Sequence, residues 1–142
     1  MNMDKQSFLF IDDVSTLQIE HAFVLKVKEG IQSKADLLEN YEIEGNFPSY
    51  FGHNWDALLD CLRDFSWVSQ KKIIIAHDDL PLENDEEQVR IYLEILETAV
   101  KDWKAVREGP SFVPLDEVPY IDHELLVVFP SAVEPIIVRM SL

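Results

Sequence analysis

Two short runs constrain this chain more than anything else in it: Lys72-Ile73-Ile74-Ile75-Ala76 and Leu125-Leu126-Val127-Val128-Phe129. Each is apolar without alternation. A strand with one face in water alternates apolar and polar residues, whereas an unbroken apolar run belongs to a sheet covered on both faces, the habit of parallel sheets. Parallel neighbours need a long crossover, and residues 85–108 supply a helix for one. Val89, Tyr92, Leu93, Leu96, Ala99, Val100 and Trp103 mark its core face. Asp85, Glu86 and Glu87 at its start and Lys101, Lys104 and Arg107 near its end both suit the helix dipole, and Gly109-Pro110 ends it.

The first half repeats the pattern. Ala22–Lys28 is β-branched and aromatic, stopped by Glu29-Gly30, and reads as a strand. Ser33 can cap a helix starting at Lys34, with Asp36 in its first turn and Leu37, Leu38 and Tyr41 at helical spacing. Gly45-Asn46 closes it and Pro48 follows. Ser49–His53 is a loop around Gly52, and Asn54 is an N-cap for a further helix. That helix carries Trp55, Leu58, Leu59 and Leu62 on one stripe and Asp56, Asp60 and the following Asp64 on another face. Phe8–Ile11, ended by Asp12-Asp13, is a possible edge strand, and Ile136-Ile137-Val138 after Pro130 and Pro135 is a short extra strand candidate. Residues 110–123, with Pro110, Pro114 and Pro119, read as irregular loop. The order of elements predicts an α/β fold: a small, mainly parallel sheet of three core strands packed with helices, plus possible edge strands from either end. At 142 residues the chain fits one domain, 1–142, with its core at about 22–131, an N-terminal extension at 1–21 and a tail at 132–142.

Charge excludes several functions. Asp and Glu number 27 against 12 Lys and Arg, a net −15. Such a field repels nucleic acid and anionic membranes and attracts cationic partners. The window 36–64 concentrates it, with seven acids and one base, Arg63, among many apolar residues. That composition describes a packed surface with a charged face rather than an acidic tail. Runs such as Leu125–Phe129 are too short to span a bilayer. The start Met1–Gln6 lacks a basic stretch followed by an apolar one, so a cytoplasmic protein is expected.

The chemically capable residues each have a plainer explanation. Cys61, the single cysteine, lies in mid-helix beside acids that would raise its pKa, which suits a packed thiol better than a nucleophile. His53, Asp56 and Asp60 could contribute to a metal site, though exposed acids on a solvated helix face are commoner. His77-Asp78-Asp79 lies at the carboxyl end of a predicted parallel strand, where α/β ligands bind, yet such residues also simply end strands. There is no glycine-rich phosphate loop, no G-x-S-x-G, no H-E-x-x-H and no C-x-x-C. No cofactor and no metal are expected. An enzyme or metal protein using His53, Asp56, Asp60 and His77 remains the rival reading from another class.

The segment Phe47-Pro48-Ser49-Tyr50-Phe51-Gly52-His53-Asn54-Trp55-Asp56-Ala57-Leu58-Leu59-Asp60-Cys61-Leu62 resembles the barstar family, intracellular protein inhibitors of microbial ribonucleases. The family pattern is Pro, any residue, two aromatics, Gly, any residue, Asn, any residue, Asp-Ala-Leu, any residue, Asp-Cys-Leu, and every fixed position matches. The resemblance implies a non-catalytic inhibitor, or immunity protein, whose acidic helix and preceding loop plug a cationic ribonuclease site. It implies that Tyr50 lies over the substrate groove, that Gly52 permits close backbone approach, and that Asn54 starts the helix. Asp56 would then meet basic residues of the partner, and Asp60 would occupy its phosphate site. Three positions depart from the family: Leu59 stands where Trp is frequent, Trp55 where an aliphatic residue is common, and His53 where an acid is common. These join the expected partner-binding set, together with the acid that the family uses near the end of the last helix, for which Glu97 and Asp102 are both candidates and Glu97 is taken. A different cationic nuclease or toxin is the alternative partner.

Overall fold

The computed structural model describes residues 7–17, 19–108 and 122–140, with 107 and 108 by their backbone alone. Strands β1 (Phe8–Ile11), β2 (Ala22–Val27), β3 (Lys72–His77) and β4 (Glu124–Pro130) form one sheet in the order β1-β4-β3-β2, and all neighbours are parallel. Helices α1 (Lys34–Glu44), α2 (Trp55–Leu62), α3 (Glu86–Glu108) and α4 (Glu134–Met140) accompany it. The two apolar runs are the two central strands, paired with Ile73 opposite Leu125 and Ile75 opposite Val127. At the amino end of that ladder the register partners Lys72 and Glu124 carry opposite charges.

Alternation along β3 divides its side chains between two cores. Ile73 and Ile75 join Leu25, Val27, Leu125 and Phe129 in the large core beneath the helices. Ile74 and Ala76 join Val128 and Val14 in a smaller cluster flanked by Ile11, Leu17, Ile19 and Ala22. Among the described residues, the second face is covered by the N-terminal segment, including a 3-10 turn at Val14–Thr16. What reads as an N-terminal extension supplies the edge strand β1, as expected, and the lid over the back of the sheet.

The C-terminal expectation needs correcting. Ile136-Ile137-Val138 is not a strand; it lies in α4. Val133, Ile137 and Met140 are buried at i, i+4 and i+7, a helical period. Pro135 stands in the first turn, where its missing N–H has no helical partner to lose. The β-branched run gave way to tertiary burial. The predicted loop at 110–123 lies, up to residue 121, outside the described residues.

Strand β2 is an edge, and α1 closes part of it. The Asn40 amide, 7% exposed, donates from Nδ2 to the Lys26 carbonyl at 2.8 Å, while its Oδ1 accepts the Lys28 N–H at 3.2 Å. One side chain thus occupies edge groups that another strand would otherwise seek.

A buried polar chain ties the layers together. His77 Nδ1 lies 3.0 Å from the Val128 carbonyl, His77 Nε2 lies 2.6 Å from Tyr92 Oη, and Tyr92 Oη lies 2.6 Å from Tyr41 Oη. A carbonyl only accepts, so Nδ1 carries the ring hydrogen. Nε2 then accepts from the Tyr92 hydroxyl, whose oxygen accepts in turn from Tyr41. Every member is satisfied in one direction, linking α1, α3, β3 and β4. His77 also stacks on Phe129, ring centroids 4.0 Å apart. Burial drives its pKa down to about 3, a fall the Val128 bond only partly opposes.

That depression fixes a sign. The unfolded ring titrates near ~6.5, so between there and about 3 the unfolded state binds the extra proton. The contribution of His77 to stability is present above ~6.5 and is lost as pH falls, by at most about 1.4 kcal/mol per pH unit. Thermal melts at pH 7.5 and pH 5 should show it. His77→Gln should be less stable than wild type at pH 7.5 yet lose less on acidification, and equal losses in both proteins would refute the linkage.

Candidate functional site

Helix α2 begins where the sequence says it should. Asn54 has extended backbone, and its Oδ1 accepts the Ala57 N–H at 2.7 Å. Leu58, Cys61 and Leu62 are buried, while Trp55, Ala57 and Leu59 are half-buried. Asp56, Asp60, Arg63 and Asp64 are exposed. The stripe therefore turns further toward Cys61 than its leucines suggest, and Leu59 lies at its margin.

Two tryptophans pin the ends of this helix. Trp55 donates Nε1–H to Gln88 Oε1 at 3.1 Å, packs against Tyr92 at 6.1 Å between centroids, and carries the Lys34 ammonium 5.2 Å from its ring centroid. Trp103 of α3 donates Nε1–H to the Leu62 carbonyl at 2.8 Å, satisfying one of the carbonyls a helix terminus leaves open. The departure from an aliphatic residue at 55 is thus explained by packing between α1 and α3.

The preceding loop is built on a ladder of rings. Tyr41 meets Phe47 at 6.0 Å, Phe47 meets Phe51 at 5.0 Å, and Phe51 meets His53 at 4.8 Å. Phe47 and Phe51 are buried, whereas Tyr50 between them is 74% exposed. The ladder holds the loop from below and leaves Tyr50 projecting. His53 adopts a left-handed backbone, φ 50°, and its Nε2 lies 3.1 Å from Glu42 Oε2. Gly52 needs no such conformation. A Cβ placed there would meet Asn54 Nδ2 at 3.4 Å and Ala57 Cβ at 3.6 Å, ordinary contacts. Nothing in the fold requires glycine at 52.

One cation, counted in the sequence but given no role there, lies in this face. Arg63, the C-cap of α2, places Nη2 3.3 Å from Asp60 Oδ1 and Nη1 3.3 Å from Asp102 Oδ2. It thereby joins the α2 carboxylates to α3. Asp102 stands on the same side as Asp60, while Glu97 is 8% exposed and accepts from Lys101 Nζ at 2.9 Å. Between the two candidate acids of α3, Asp102 is the one joined to the α2 row. The signal available in the sequence was Arg63 itself, the one base between 36 and 64.

The rival grouping is not assembled. Both ring nitrogens of His77 are engaged in the core, and His53 is turned to Glu42. Among the described residues no group of three or more His, Cys, Asp or Glu could hold a metal ion. Two hollows, one lined by Gly30, Ile31, Asp79 and Asn84 and one by Lys28, Asn40 and Ile43, include no residue of α2 or of the loop before it. Among the described residues no helix is long and apolar enough to cross a membrane.

The family model described as Barstar (barnase inhibitor) matches residues 21–115, from the residue before β2 to beyond α3. Neither a curated protein nor a solved structure matches the chain.

Cys61 is 5% exposed, and burial, followed by the charges of Asp64 and Asp60, pushes its thiol up to about 11. It should resist an aromatic disulfide reagent at pH 7.5 and react promptly in denaturant. Cys61→Ala should cost at most a few kcal/mol of stability, as buried truncations do. Rapid reaction of the native protein would show that the thiol is neither packed nor protonated.

Proposed function

The chain belongs to the barstar family, and from that premise we propose that it is a protein inhibitor that blocks the active site of a ribonuclease. The observation that carries this is the exposure of Asp56 and Asp60 on a helix anchored at both ends, directly after a loop that projects Tyr50. A ribonuclease must hold a phosphodiester among cations, so fixed carboxylates can take the place of phosphate oxygens. Asp60 would enter the phosphate site, Asp56 would meet a neighbouring base, and Asp102 rather than the enclosed Glu97 would add the third acid. Tyr50 would cover the groove with a ring. Gly52 would allow the partner to approach the backbone, a use consistent with the fold making no demand for glycine there. His53, Asn54, Trp55 and Leu59 shape and support that contact. The protein itself would carry out no catalysis and would act as an immunity protein inside the cell that makes the nuclease. A different cationic nuclease or toxin would satisfy the same face.

The test is titration of ribonuclease activity and calorimetry, with barnase as probe. Asp60→Ala should weaken binding by at least ~2 kcal/mol, the usual hot-spot threshold, to whose range the barnase–barstar pair itself contributed. Its melting temperature should stay near wild type, because the Asp60 side chain is 74% exposed. Asp64→Ala, one turn further on, should matter much less. Equal small losses for both would sink the model of an inhibitory helix.

A second expectation follows from the net charge of −15. Attraction between this field and a cationic cleft is screened over ~8–10 Å near physiological salt. The association rate should therefore fall steeply with added salt and the dissociation rate much less, a behaviour for which barnase–barstar is already a measured case. An association rate flat in salt would count against a charge-driven encounter.

A further inference from the structure

Arg63 lies inside the acidic face, not at its border. Its guanidinium bonds Asp60 on one side and Asp102 on the other, each at 3.3 Å. Resting on the inhibitor reading, we infer that Arg63 is a specificity-determining residue: a built-in competitor for the cation a ribonuclease brings to Asp60. It weakens binding to sites whose groups there are all positive and favours a partner that offers an acceptor oxygen beside its cations.

A structural role leaves this arginine little to do. The side chains of Arg63, Asp60 and Asp102 are 44%, 74% and 47% exposed, and ion pairs so accessible contribute little to folding. Helices α2 and α3 are already joined by the buried Trp103–Leu62 hydrogen bond. At an interface the position changes. A cation that reaches Asp60 must share its carboxylate with Arg63 or displace it, and either way two positive charges stand a few ångströms apart where water has been removed. Such repulsion is how an interface rejects a wrong partner. The guanidinium has five N–H groups, and the two bonds to Asp60 and Asp102 leave three for an incoming oxygen. An acceptor there turns the penalty into a contact.

The experiment measures association and dissociation rates of the full chain with purified barnase, for wild type, Arg63→Gln and Arg63→Lys, each with and without Asp60→Ala, beside thermal melts. Removing a like charge a few ångströms from the incoming cation should make Arg63→Gln bind about ten-fold tighter than wild type, with a faster association. Arg63→Lys keeps the charge and should gain less than about two-fold, so charge and not the shape of the side chain would carry the effect. Asp60→Ala should abolish the gain. If Arg63→Gln melts like wild type and binds no tighter, the inference is overturned while an effect of Asp60→Ala on wild type leaves the inhibitor reading standing. If no chain binds, or Asp60→Ala changes nothing in either background, the reading of this face as an inhibitory surface for a barnase-type site fails and takes the inference with it.

Discussion

The hydrogen-bond chain from Tyr41 through Tyr92 and His77 to Val128 is the constraint on which the rest of the structure hangs. Four polar groups sit in an apolar core, and leaving any one unpaired would cost roughly 1–3 kcal/mol. The chain is complete only when α1, α3, β3 and β4 hold one relative placement. It thus selects a single packing of helices on sheet, where apolar contact alone tolerates several. Its two tyrosines, both fully buried, also lie beneath the acidic face. The Tyr92 ring supports Trp55 at the start of α2, and the Tyr41 ring supports Phe47 at the base of the loop. The same residues that fix the core fix the platform of the acidic face.

This construction matters because binding must offset the ordering of whatever it immobilises. A loop resting on the Phe47–Phe51–His53 ladder and a helix held by Trp55 and Trp103 are already ordered, so less conformational entropy remains to be lost on association. Charges carry the opposite requirement. Asp60 is well hydrated in the free protein, and burying it against a partner is favourable only if cations and hydrogen bonds replace that water. Rigid placement and full exposure are both needed, and α2 has both because its buried residues, Leu58, Cys61 and Leu62, lie on the side away from the row.

The fold was legible where local pattern and burial agree. Ser33 and Asn54 cap the helices they announce, and the isoleucines of β3 are buried on both faces as their lack of alternation requires. Reading failed where a local preference met a tertiary demand. Ile136-Ile137-Val138 favours a strand by side-chain type, but only a helix puts Val133, Ile137 and Met140 together in the core. At the candidate site, the motif pointed to Tyr50, Asp56 and Asp60, and their exposure follows from helical period and loop position. It could not choose between Glu97 and Asp102, because what joins Asp102 to the α2 row is the crossing of α2 and α3 and Arg63, 39 residues away in sequence. His77 looked like a ligand candidate at a strand end for the same reason: the sequence shows its neighbours along β3, while its partners come from α3 and β4.

Helix stability by itself argues against the charge pattern of α2. Asp56 sits in the first turn, where a carboxylate favours the dipole, but Asp60 lies in the second half of an eight-residue helix, toward the negative end. Asp56 and Asp60 are also like charges at i and i+4, a spacing that weakens a helix by a few tenths of a kcal/mol. Arg63 places a positive charge at the negative terminus and beside Asp60, but so exposed a pair offsets little of either defect. On the proposed reading, that cation is also what a partner would meet on reaching for Asp60, and it would bear on which cationic surface can use the helix.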